Sequence, residues 1–138
     1  MREHQIISGL PDAIAEVKAS TKAGFVGSAL QAAFALAEAK TGNADFDKDV
    51  ERKFSLEADD FGSLLAKFLH EGLRLGHENK EAYEEVRLSL ITDKKMTGEY
   101  IGHPVSGFAH TPRLAGSGKV ELAKNDAGVW ESKIAFIE

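Results

Sequence analysis

One stretch, residues 59–76, constrains the fold of this chain more than any other. Its apolar residues recur with the spacing of one face of an α-helix: Phe61, Leu64, Leu65, Phe68, Leu69 and Leu73. Asp59 or Asp60 can cap the N-terminus of this helix, and Gly76 stands where a left-handed C-cap residue would end it. Residues 52–59 alternate between apolar and polar side chains, which predicts a half-buried strand. The sequence therefore predicts a strand that runs directly into an amphipathic helix.

A second helix is predicted over residues 24–40, where apolar residues cover so much of the circumference that we expect neighbours on more than one side. Alternating patterns predict six strands, over residues 4–8, 13–20, 86–92, 96–102, 119–124 and 129–137. In the third of these, Val86, Leu88 and Leu90 share the apolar face. Turn residues predict tight connections at 9–12, 93–95 and 125–128. Loops are predicted at 41–47, 77–85 and 103–118.

These elements predict an α+β fold, a two-layer α/β arrangement. Because most of the strands are joined as hairpins, we expect a mixed, largely antiparallel sheet packed against two main helices. The 138 residues suit a single domain, 1–138, with one core.

Composition narrows the classes of function. With 17 basic and 22 acidic residues the net charge is −5, which argues against a broad surface for nucleic acid. The chain has no cysteine, which excludes disulfides, thiolate metal sites and a cysteine nucleophile. Neither a signal-peptide core nor a stretch of membrane-spanning length is present, so we expect a cytoplasmic protein that does not bind membranes.

Few residues carry a chemical signature. The segment Ala115–Val120 resembles a phosphate-binding loop, but Arg113 and Val120 stand where that motif requires Gly and Ser or Thr. None of the five histidines has the spacing of a paired metal site. His103 and His110 flank the glycine-rich loop, where they either meet in space or are ordinary surface residues. Asp12, in the first turn, either caps that turn or ligates a hard cation.

The central block, residues 54–90, resembles that of the archease family. The shared pattern is an alternating strand rich in Glu and Ala, a leucine-rich helix, a loop and an edge strand. Residues 97–108 resemble the family's next hairpin strand, residues 129–137 resemble its closing strand, and residues 24–40 its alanine-rich first helix. The similarity is one of pattern over most of the chain rather than of an exact motif.

This resemblance implies a protein cofactor of a tRNA-splicing RNA ligase, which promotes guanylylation and turnover of the ligase and is not itself an enzyme. It also implies a divalent-metal site (Mg, Mn or Ca) built from carboxylates. Asp12 alone matches the family's His-Thr-Ala-Asp turn. Glu138 lies one place beyond the family's C-terminal Asp, which on a strand means the opposite face. In the family's Lys-Ala-x-Thr-x-His segment, Arg113, Gly116 and Gly118 stand in place of Lys, Thr and His.

Two functions are therefore carried forward. In the first, the chain assists an RNA-splicing ligase, with Asp12 and Glu138 as metal ligands and no direct contact with nucleic acid. In the alternative, it is an archease-fold binding or structural module without a metal site or ligase role. An enzyme with its own active site is a third class of function. The sequence shows no set of acid–base or nucleophilic residues that supports it.

Overall fold

Two helices and ten strands make up the described chain. The computed structural model describes residues 2–41, 48–115 and 120–138. The helices are α1 (Lys22–Ala37) and α2 (Phe61–Asn79). The strands are β1 (Arg2–Ser8), β2 (Asp12–Ala19), β3 (Ala39–Lys40), β4 (Val50–Glu57), β5 (Glu81–Ile91), β6 (Lys95–Pro104), β7 (Gly107–Phe108), β8 (Arg113–Leu114), β9 (Ala123–Lys124) and β10 (Trp130–Ile137). The loop predicted at 41–47 lies mostly outside the described residues, as do Gly116 and Gly118.

The strands form two main sheets and one short ladder. The first sheet has the order β1-β2-β10-β8, with β9 also paired to β10, and the second has the order β4-β6-β5. The ladder joins β3 to β7. Every pairing in the described ranges is antiparallel. With the two helices packed on these sheets, the predicted α+β fold is confirmed.

Helix α1 is covered on more than one side, as its composition predicts. The Thr21 side chain caps it by accepting a hydrogen bond from the Gly24 amide at 3.0 Å. It packs against β1 and β2 of the first sheet and also against β5 of the second. Its buried side chains are therefore spread around the helix, and Phe25, Leu30 and Phe34 are all in the core.

Helix α2 buries one face and exposes the other. The Asp60 carboxylate caps it by accepting a hydrogen bond from the Ser63 amide at 2.8 Å. The predicted apolar face, residues Phe61, Leu64, Leu65, Phe68, Leu69 and Leu73, is buried. It meets aromatic residues of the second sheet: the Phe68 ring lies 5.0 Å from that of Tyr100, whose hydroxyl donates to the Phe68 carbonyl at 2.5 Å.

The predicted end of α2 at Gly76 is wrong. The helix continues to Asn79, and Lys80 is the left-handed residue that ends it, at φ 54°. Gly76 serves packing instead, because a Cβ there would lie 2.7 Å from the Glu81 carbonyl oxygen and 2.8 Å from the Phe34 ring. Its lack of a side chain lets α1, α2 and the start of β5 approach closely.

The predicted loop 77–85 is also wrong. Residues 77–79 are helical, and β5 begins at Glu81 rather than at residue 86. Glu81 is only 5% exposed. Its carboxylate accepts hydrogen bonds from Arg52 Nε at 2.9 Å, from Arg52 Nη2 at 2.7 Å and from the Tyr83 hydroxyl at 2.7 Å. The sequence suggests an exposed carboxylate at Glu81. It is buried instead, because Arg52 on another strand pairs with it.

Strand β5 departs from simple alternation as well. Its register against β6 shifts between Leu88 and Leu90, so that Ile91 is paired with Met96. Leu90 is consequently 43% exposed and does not share the inner face with Val86 and Leu88. One irregularity in the ladder moves the end of the predicted apolar face to the other side of the sheet.

The predicted loop 103–118 carries more structure than its composition indicates. Strand β6 extends to Pro104, and the short strands β7 and β8 lie within the predicted loop. In the strand predicted at 119–124, residue 119 lies outside the described residues, and among residues 120–124 only the two residues of β9 form a strand. The turn at 125–128 is confirmed, with the Gly128 amide donating to the Asn125 carbonyl at 2.9 Å and Gly128 at φ 78°.

Candidate functional site

The candidate site lies where the first strand pair meets the end of the chain. In the ladder between β2 and β10, Asp12 is opposite Ile137. The two carboxylates expected from the resemblance, Asp12 and Glu138, are therefore at the same end of two neighbouring strands. Residues from the two ends of the sequence are brought together by this register alone.

Their side chains have different surroundings. Along β2, Ala13 and Ala15 are buried under the helices, whereas Asp12 and Ile14 are exposed on the opposite face of the sheet. Glu138 follows the last residue of β10, and its carboxylate accepts from the Thr111 amide at 3.2 Å and contacts His110 Nδ1 at 2.9 Å. Within the described residues, Asp12 and Glu138 are not part of any group of three or more side chains that could hold a metal ion.

His110 lies between two carboxylates. Its Nδ1 atom faces Glu138, and its Nε2 atom lies 2.9 Å from an oxygen of Glu38. Glu38 is the left-handed residue after α1, at φ 51°. The His110 and Ala109 amides donate to the carbonyls of Ala37 and Glu38, at 3.1 and 3.0 Å, so this segment also satisfies the free carbonyls at the end of α1.

A second histidine supports this arrangement from α2. His77 Nδ1 lies 2.8 Å from the Leu73 carbonyl oxygen, and Nε2 lies 3.1 Å from that of His110. Its ring packs on Phe108 with 4.4 Å between the ring centroids. Sequence reasoning missed this role because it placed His77 in a polar loop. The signal that could have found it is its position in the last turn of α2, near free carbonyls.

The other histidines lie elsewhere. His103 does not share the carboxylates of His110; its Nδ1 atom lies 3.7 Å from Glu84. His70 is exposed on the polar edge of α2, as its spacing predicts, and His4 lies on β1. Of the pair proposed to flank the glycine-rich loop, His110 contacts a predicted site residue, Glu138.

The side chains of Asp12, Glu38, His110 and Glu138 are not arranged to bind one divalent ion together. In the ranges 2–41, 48–115 and 120–138, no group of three or more His, Asp and Glu side chains is placed to hold a metal. Glu38 and Glu138 lie on opposite edges of one imidazole ring, so His110 cannot join both of them around a single ion. A chelate that uses Asp12 would need Glu138 to leave His110. The metal site therefore stays a prediction.

A second polar cluster, made by Arg52, Glu81 and Tyr83, has shifted pKa values, and it stabilises the fold. The Arg52 guanidinium holds the pKa of Glu81 below its ordinary value, and burial raises the pKa of Tyr83. Perturbed groups can mark functional sites. Here, however, the three groups bond to one another across β4 and β5, and these bonds and the burial of Tyr83 account for the shifts.

Comparison with known proteins identifies a solved structure with the same fold. No protein-family model matches the chain, and no curated protein sequence matches it at significant similarity. Among solved structures, the chain is similar to the solution structure of Methanobacterium thermoautotrophicum protein 1598, a structural-genomics target. The two share 12% identity with a TM-score of 0.63, over 98% of each chain. At that identity the likeness establishes a common fold along the whole chain. Within the described ranges, no helix is both long enough and apolar enough to cross a membrane.

Proposed function

We propose that this protein is an archease-like protein cofactor that assists an RNA-splicing ligase by promoting its guanylylation and turnover. The observation that carries the proposal is the register that places Asp12 opposite Ile137. It brings the two residues singled out by the archease resemblance to one end of adjacent strands. The α+β fold, shared with protein 1598 over 98% of each chain, agrees with the fold that the resemblance implies.

In this proposal the protein acts by binding and has no active site of its own. Its partner is the ligase itself, and the net charge of −5 gives the protein no overall attraction to the RNA backbone. A cytoplasmic location follows from the proposed partner. Residues near His110 would form the contact with the ligase, because the chain terminus and the loop after β7 come together at this end of the molecule.

A divalent ion, Mg, Mn or Ca, is the second part of the proposal, with Asp12 and Glu138 as its ligands. Carboxylate oxygens suit such hard cations. Because Glu138 is bonded to His110 and Thr111, we expect weak binding of Mn²⁺ in a calorimetric titration. Asp12→Asn should abolish it, whereas His110→Ala should strengthen it by removing one of the two contacts that hold Glu138. Glu57→Gln, an exposed carboxylate on β4, is the control and should change nothing. Equal binding by all four proteins would exclude these ligands.

The alternative function is a binding module of the same fold without a metal or ligase role. The bonds that hold Glu138 to His110 and Thr111 favour it, because they leave no ready chelate. A single-turnover guanylylation assay separates the two. If the proposal is right, the protein accelerates nucleotide transfer from GTP to an RNA-splicing ligase, and Asp12→Asn loses the effect. An unchanged rate favours the module. Turnover of GTP by the protein alone would instead identify an enzyme.

A further inference from the structure

The free edge of β4 is the longest uninterrupted strand edge in the described part of the chain. The two main sheets end at β1, β8 and β9 in the first sheet and at β4 and β5 in the second. Strands β8 and β9 have two residues each, and the ladders of β1 and β5 contain register shifts. Short edge strands and bulges keep a sheet from pairing with another chain. Strand β4 has neither protection, because its eight residues pair with β6 in unbroken register.

Alternate residues of β4 direct their backbone groups away from the sheet. The Ala58 amide, directly after the strand, donates to the carbonyl of the residue before β6 at 2.9 Å, so Ala58 faces β6. Because successive residues of an extended strand face opposite sides, Lys53, Ser55 and Glu57 face the free edge. The Glu57 carbonyl accepts from Lys67 at 2.7 Å, which agrees with this direction. A carbonyl oxygen has a second lone pair, so this edge can still pair with another strand.

The side chains along this edge are complementary to themselves. In an antiparallel pair with a two-fold axis at Ser55, Lys53 of one chain lies opposite Glu57 of the other, on both sides of the axis. On the inner face, Phe54 lies opposite Leu56. Within the described ranges Lys53 has no ion pair, and Glu57 has a 3.5 Å contact with an exposed lysine of β6. Both charges are therefore available to a partner strand.

Neighbouring registers of the same pairing are less favourable. Moving the axis back by one residue places Glu51 opposite Glu57, and moving it back by two places Lys53 opposite itself. Like charges directly opposite one another destabilise a strand pair. With the axis at Ser55 the paired stretch is 52–58, and Glu51 lies beyond it, where it already contacts an arginine of β5 at 3.5 Å. Charge therefore selects one register.

We propose that this protein forms a two-fold symmetric dimer, in which the β4 edges of two copies pair in antiparallel fashion about Ser55. The occupant of the edge is a second copy because the order of charges that it requires is that of β4 itself. The two three-stranded sheets then form one continuous sheet. The paired stretch is shorter than the roughly 20–30 residues a side of a standard interface, so the dimer is weak and depends on concentration.

This dimer goes beyond the proposed function and does not depend on it. Lys53 and Glu57 belong to the second sheet, whereas Asp12 and Glu138 lie at one end of the first. Substitutions at the β4 edge should therefore leave metal binding and ligase stimulation unchanged. A dimer without ligase stimulation removes only the proposed function, and ligase stimulation by a chain that stays monomeric removes only the dimer.

Sedimentation equilibrium of the full chain, between about 1 μM and 1 mM, tests the association. We expect a reversible monomer–dimer equilibrium that weakens as salt rises. Lys53→Glu and Glu57→Lys should each weaken it by roughly fivefold or more, because each places like charges opposite one another twice in the dimer. The double variant should restore association. Within one strand the two positions are about 13 Å apart, so only pairing between chains can restore it.

The matched control for the charge reversal is Lys133→Glu. Lys133 is exposed like Lys53, but it lies on β10, which is paired with strands on both sides. This variant should stay within twofold of the wild type.

A cysteine crosslink tests the register. The chain has no cysteine, so Ser55→Cys carries a single thiol at an exposed position. At the two-fold axis the two Cα atoms are expected about 5.5 Å apart, which is within reach of a disulfide. Mild oxidation should therefore give a covalent dimer. Lys53→Cys is the control, because its two copies are expected more than about 7 Å apart and should crosslink far more slowly.

Four results would each overturn the proposal. The chain could stay monomeric up to about 1 mM. The double variant could fail to recover the association that Lys53→Glu and Glu57→Lys lose. Lys133→Glu could weaken association as much as Lys53→Glu does. Lys53→Cys could crosslink as fast as Ser55→Cys, which would mean that the contact is not centred on Ser55.

Discussion

Arg52→Met should destabilise the protein through the buried end of β5. The Glu81 carboxylate accepts two hydrogen bonds from Arg52 and one from Tyr83, all between 2.7 and 2.9 Å. Removing one partner of a buried ion pair typically costs about 3–5 kcal/mol. The Arg52 side chain is 42% exposed, so water can partly replace it beside Glu81. We therefore expect a smaller loss than that range, about 2–3 kcal/mol in the free energy of unfolding.

The assay is urea denaturation followed by far-ultraviolet circular dichroism. The double variant Arg52→Met with Glu81→Leu is the control, because replacing both partners by apolar groups leaves no unpaired charge. It should be more stable than Arg52→Met alone. A wild-type midpoint for Arg52→Met would refute the reasoning, as would a double variant that loses the sum of both single effects.

The same pair predicts a dependence on pH. Arg52 stabilises the charged form of Glu81 and so lowers its folded-state pKa below the ordinary value of 4.5. A depressed carboxylate pKa contributes stability that is fully present above the unfolded-state pKa and is lost as the pH falls through the folded-state pKa. The stability advantage of the wild type over Arg52→Met should therefore shrink as the pH falls, because the wild-type contribution is lost below 4.5 and because burial without Arg52 raises the pKa of Glu81 in the variant. A difference that grows in acid would contradict this sign.

Three further substitutions and one control test the packing and the end of α2. Gly76→Ala should lower the free energy of unfolding by about 1–3 kcal/mol because its Cβ would meet the Phe34 ring, whereas Gly9→Ala, which has open space, should be nearly neutral in the same denaturation assay. Lys80→Gly should raise stability by about 0.5–1 kcal/mol because glycine adopts the left-handed conformation freely; a lower midpoint would contradict this. Leu64→Ala, at a fully buried position, should cost about 2–5 kcal/mol, and an unchanged midpoint would show that α2 is not packed as described.

The periodic parts of this fold could be predicted from the sequence. The inward face of α2, the alternation of β2 and the alternation of β10 each follow from local spacing. Errors arose where tertiary contacts override local signals. Glu81 looks like a loop residue until Arg52 pairs with it. Gly76 looks like a helix stop until the Phe34 ring packs on it.

Less of the candidate site than of the fold could be predicted from the sequence. Asp12 and Glu138 came from a family resemblance, and no spacing rule could place them at one end of the same sheet. The cluster of Glu38, His110 and Glu138 draws on three separate segments of the chain. Its members share no local pattern, so only the register of the strands and the segment that follows β7 can bring them together.

The most direct test of the central claim is the multiple-turnover rate of an RNA-splicing ligase joining two RNA fragments, measured with and without this protein. We predict that substoichiometric ligase continues past its first cycle only when the protein is present. Lys53→Glu should behave as wild type in this assay, since it lies away from the candidate site. If the ligase completes the same number of cycles with or without the protein, the proposed function is wrong.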